Sequence, residues 1–108
     1  MTQTAPNPPL PAGTHTLSDW KDWDYLYRLL WGDTRLVEAT NIGLSTTAAQ
    51  LPDGSIDDGT VAEEPAVFID ELRDGARQDC LTVTVQGARN LAAALIAAAD
   101  EIDGWSAR

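Results

Sequence analysis

The chain has 108 residues, of which 44% are apolar, and seventeen acidic side chains against seven basic ones give a net charge of −10. That is enough for one domain with one core, while so acidic a surface repels phosphate backbones and argues against direct DNA or RNA binding. The N-terminus has neither the basic start nor the apolar stretch of a signal peptide, and no apolar run nears the about 18 residues of a membrane span, so a cytoplasmic protein is expected.

Residues 1–17 carry four of the six prolines, among Thr and Asn, and read as an extended, disordered leader. A single domain is expected over 18–105, with 106–108 as a tail. Five of the seven aromatic residues follow at once: Trp20, Trp23, Tyr25, Tyr27 and Trp31. A helix beginning at Ser18 fits this segment, and so does a strand over 24–31 with Tyr25, Tyr27 and Trp31 on one face. Gly32-Asp33 favours the strand, because a two-residue Gly-Asp loop is a type II′ hairpin signal. Further strands are expected at about 35–40 and 42–51, the latter with a competing helical reading from Ser45. A second hairpin pairs 65–72 with 80–84 around RDGARQD. Cys80, the lone cysteine, is expected to be a buried, unreactive side chain in that last strand.

From Thr84, a plausible N-cap, the spacing of Ala88, Leu91, Leu95, Ala98 and Ile102 predicts a long amphipathic helix. Seven alanines between 88 and 99 strengthen it, and Gly104 suits a C-terminal stop with Trp105 folding back over the last turn. Its opposite side carries Ala93 and Ala97, small enough for another backbone to approach closely. The sum is an α+β plan, a mostly antiparallel sheet of four to five strands with one long C-terminal helix packed on it.

Chemistry is hard to find. The one histidine, His15, sits in the leader, so no Ser or Cys has a base beside it. Zinc spacings and phosphate-binding glycine loops are absent. DGSIDDGTVAEE, residues 53–64, offers oxygen ligands at calcium-loop spacing, but Asp58 stands where the obligatory glycine belongs. Two turns, Asp53-Gly54 and Asp58-Gly59, explain it more simply. The paired acids Asp57/Asp58 and Glu63/Glu64 read as solvated. No enzyme activity, metal or cofactor is expected, nor a small-molecule ligand.

The C-terminal ARNLAAALIAAADEIDGW, with QLPDGSI and YLYRLLWGDTR upstream, resembles small actinobacterial and actinobacteriophage proteins that end in a helix of the form AR-x-LA-x-AL-x-x-AADE-x-D. The resemblance implies a bacterial or phage cytoplasm, often among accessory genes, and brings no catalytic residues with it. The expected function is therefore a small acidic protein–protein interaction module that self-associates as a homodimer. Tyr25, Tyr27 and Trp31 are its expected contacts, with Ala93 and Ala97 as an alternative surface. Two other readings are a DNA-mimicking inhibitor of a DNA-binding protein and an enzyme with an unrecognised carboxylate site.

Overall fold

The computed structural model describes residues 8–16, 26–74 and 76–106, apart from the side chains of Arg77, Asp79 and Cys80. The expectations for Trp20, Trp23, Tyr25 and the burial of Cys80 lie outside what is described.

Among the described residues the architecture is an antiparallel sheet of six strands followed by one helix, the expected α+β plan. Six strands take part: β1 (Thr14–His15), β2 (Arg28–Gly32), β3 (Arg35–Leu36), β4 (Ile42–Gln50), β5 (Ala66–Arg73) and β6 (Ala76–Thr84). The order is β1-β2-β4-β5-β6, with β3 also on β4. The sixth strand arises because residues 8–16, within the proline-rich stretch, are joined to the sheet: Thr14 pairs with Gly32 and His15 with Trp31.

Gly32-Asp33 is not a hairpin turn. β2 and β3 both pair with β4, Trp31 opposite Thr47 and Arg35 opposite Leu44, so the chain runs on along the same edge of β4. Glycine stands at 32 for a reason of space: a Cβ there would press into the Thr46 hydroxyl. The reversal lies further on, where Val37 N–H donates to the Ile42 carbonyl at 2.9 Å and Ala39 takes a φ of 64°. This ends the expected 35–40 strand at Leu36. At the other hairpin the turn is tighter than RDGARQD suggested. Arg73 pairs with Ala76 and Asp74 has a φ of 50°, a left-handed conformation that Asp tolerates better than most residues.

On β4 the residues Gly43, Ser45, Thr47 and Ala49 are buried, all on one face by the two-residue alternation of a strand. Their cover comes from the flanking strands: Trp31, opposite Thr47, and Phe68, opposite Ser45, bring their rings to 5.6 Å. Among the described residues only Leu30 and Ala49 are buried apolar side chains.

Helix α1 runs Val85–Ser106, started by the Thr84 hydroxyl accepting the Gly87 N–H at 3.0 Å, as the sequence predicts. It does not stop at Gly104, and Trp105 stays helical and 62% exposed instead of folding back. Its contacts are with β5 and β6, and it buries none of its own residues. The whole chain measures 76 × 31 × 22 Å with a radius of gyration of 18.2 Å, against about 13 Å for a globule of this length.

The steric reading of Gly32 is testable by a double-mutant cycle in urea. Gly32→Ala should cost about 1–3 kcal/mol, and most of that loss should vanish in a Thr46→Ala background. Equal losses in both backgrounds would show that Thr46 is not the obstacle.

Candidate functional site

Three places hold polar or apolar groups in an arrangement that could matter for function. The first is a buried tie between the N-terminal segment and the sheet. Arg28 and Gln50 face each other across β2 and β4, 6% and 1% exposed. Arg28 Nε donates to Gln50 Oε1 at 2.8 Å, and Arg28 Nη2 donates to the Pro8 carbonyl at 2.7 Å. Gln50 Nε2 donates to the carbonyls of Pro9 (3.0 Å) and Gly54 (3.2 Å). A buried guanidinium and a buried amide satisfy each other here, and two prolines, which lack an N–H, contribute carbonyls as acceptors.

The second is the loop after β4. The chain doubles back at Gly54, whose φ is 93°, and Leu51 N–H donates to the Ser55 carbonyl at 2.8 Å. Asp57 N–H then donates to the Ala49 carbonyl at 2.8 Å, which draws the Asp57 side chain inside, 1% exposed. Its Oδ1 accepts the N–H groups of Gly59 and Val61, both at 3.1 Å, and its Oδ2 those of Ala62 (2.6 Å) and Glu63 (2.9 Å). Burial raises the pKa of such a carboxyl, yet the four N–H donors outweigh it and hold Asp57 below the ordinary Asp range. The expectation that Asp57 and Asp58 form a solvated pair thus holds only for Asp58. Asp58 and Asp53 each accept from a side chain and a backbone N–H two residues on, Thr60 and Ser55, and both are lowered by those bonds. The glycines of the two expected turns have the left-handed φ such turns require, 93° at Gly54 and 108° at Gly59. Asp53, Ser55 and Asp57, three of the oxygen-bearing residues at calcium-loop spacing, are engaged in closing turns.

The third is apolar surface. A groove of about 300 Å³ runs over Leu30, Ala48, Val67 and Val85, walled by Pro11 and Ile56. Beyond it stands α1, with Leu95, Ile96, Ile102 and Trp105 between 55% and 63% exposed. Of the residues expected to meet a partner, Trp31 is half-buried against Phe68, and Tyr27 is half-buried just ahead of β2. Tyr25 is outside the described residues. Ala93 and Ala97 are exposed on the helix, far along the chain from Trp31, so the two expected surfaces belong to different elements.

The chain matches no known family, no curated protein and no solved structure. Among the described residues, no group of three or more His, Cys, Asp or Glu side chains could hold a metal ion, and no helix is long and apolar enough to cross a membrane.

Sequence reasoning missed the Asp57 anchor and the Arg28–Gln50 tie. An Asp two residues before a Gly was a usable signal for the first, since Asx turns have that spacing. The second depends on strand register, which no local pattern encodes.

Two outcomes follow. A carboxyl with a lowered native pKa stabilises above its unfolded pKa, near 3.8 for Asp, and loses that contribution as pH falls through the lower native value. Asp57→Asn should therefore melt well below the parent chain at pH 6, and the gap should narrow as both are acidified towards pH 3; a constant gap would mean that charge plays no part. Gln50→Ala should cost roughly 2 kcal/mol or more in urea titration, because it removes partners from Arg28 and from two carbonyls.

Proposed function

We propose that this chain is a non-catalytic, self-associating protein, a subunit whose apolar surface is covered by further copies of itself. The observation that carries the reading is surface area. The chain exposes 7836 Å², whereas a compact monomer of 11.6 kDa exposes about 5,800 Å², leaving an excess of about 2,000 Å². A standard interface takes about 800 Å² from each partner, and obligate homodimers take more. Even half the excess would supply such an interface.

The composition of the excess supports the same reading. Leu36, Leu81, Leu95, Ile96, Ile102 and Trp105 are each more than half exposed, while only two described apolar residues are buried. Monomers seldom leave that much large apolar surface in water. The carboxylates supply solubility to a surface that would otherwise be sticky. In the 53–64 loop the carboxylates of Asp53, Asp57 and Asp58 are engaged in turns, which favours a non-catalytic role for them.

Light scattering coupled to size exclusion tests this directly. At micromolar concentration the mass should be at least twice 11.6 kDa. A monomer mass across the accessible concentration range would overturn the proposal.

A further inference from the structure

Resting on that self-association, we infer that the contact is made by α1, which pairs antiparallel with α1 of a second copy about a two-fold axis between Ile96 and Ala97. Ala88, Leu91, Leu95, Ala98, Ile102 and Trp105 are spaced three, four, three, four and three residues apart on the helix. That is the spacing of a coiled-coil seam, and it continues for the whole length of the element. Positions beside the seam are small for most of its length, Ala92, Ala94 and Ala99, so two backbones can approach closely.

Side-chain size selects the orientation. In the antiparallel register Trp105 lies over Ala88 of the other copy, Ile102 over Leu91, and Ala98 over Leu95. Every layer then combines a large side chain with a smaller or comparable one. A parallel pair would set Trp105 on Trp105 and Ala98 on Ala98, crowding one layer and leaving a void in another.

Charge selects the same orientation. The helix has no acidic residue in its first turn and no basic residue in its last, and Asp100, Glu101 and Asp103 cluster near the end where the backbone dipole is already negative. Side by side in parallel, two such ends would gather six carboxylates. Turned head to tail, each acidic end lies by the positive end of the partner helix and its Arg89, the one basic side chain on α1. The excess accessible area of the chain, more than twice what a standard partner contributes, leaves room for this pairing and for contacts of the sheet beside it.

Two measurements on the full chain test the pairing. Leu95→Asp should weaken association by about a hundredfold or more, because it buries a carboxylate in the seam, while Ala93→Asp, on the opposite side of the helix, should leave the mass unchanged. The reverse pattern would move the contact to the Ala93/Ala97 face and overturn the pairing. If Leu95→Asp keeps the parent's mass, self-association stands and the helix pairing falls; if the parent itself is a monomer, both fall. The second measurement does not depend on that variant folding. A nitroxide on Ser106→Cys in a Cys80→Ser background should report an inter-label distance of about 30 Å for the antiparallel pair. A distance near 10 Å would mean a parallel pair, and no defined distance in an associated sample would mean that α1 is not the contact.

Discussion

Everything in this sheet is arranged around the smallness of the buried side of β4. Gly43, Ser45, Thr47 and Ala49 are all buried, and together they offer little apolar area to bury. At about 25 cal/mol for each Å² removed from water, such residues contribute far less than the Val, Ile or Leu usual in a central strand. Small residues do, however, let neighbouring strands lean inward. Trp31 and Phe68 meet over them, and the Thr34 and Ser45 hydroxyls come to 3.1 Å of one another. The aromatic pair serves as a lid on a thin strand, and among the described residues only Leu30 and Ala49 are buried apolar side chains.

With so little core, polar groups hold the ends of the sheet. Gln50 is the last residue of β4, and its amide reaches the proline segment on one side and the returning loop on the other. Arg28 fixes that amide's orientation by donating to its oxygen. Seven residues on, Asp57 organises the rest of the loop through four backbone donors. Each of these groups would be costly to bury alone and is stable because its partners are in place. The two anchors are linked by the Gln50–Ile56 bridge, so the N-terminal segment, the end of β4 and the 51–63 loop form one connected unit.

Legibility followed the range of the interaction. α1 and its Thr84 cap were readable because helix periodicity and capping act within a few residues. β4, β5 and β6 were readable because runs such as IGLSTTAAQ and CLTVT have strand propensity on their own. Gly32-Asp33 misled, because a glycine needed for close approach to Thr46 looks identical in sequence to one needed for a turn. The buried tie was hidden for a related reason: Arg28 and Gln50 are 22 positions apart, and only the β2–β4 register brings them together. Proline content reads as an extended, disordered leader over 1–17, but composition is silent on whether such a segment finds a sheet edge, as Thr14 and His15 do.

The helix presents the same lesson in reverse, because here local and global signals disagree. Its sequence is apolar without interruption from Leu91 to Ala99, two and a half turns that leave no polar side. A helix that is apolar all round normally sits inside a protein, whereas α1 buries none of its residues in its own chain. Alanine resolves part of the conflict, since it is a strong helix former and exposes little side chain to water. The remainder lies with the large side chains: Leu95, Ile102 and Trp105 are exposed on one side in line with half-buried Leu91, and Ile96 is exposed away from that line. Helix propensity therefore explains why α1 forms without a core beneath it. It leaves Leu95, Ile102 and Trp105 exposed in a line along one side, narrow enough for one more helix to close.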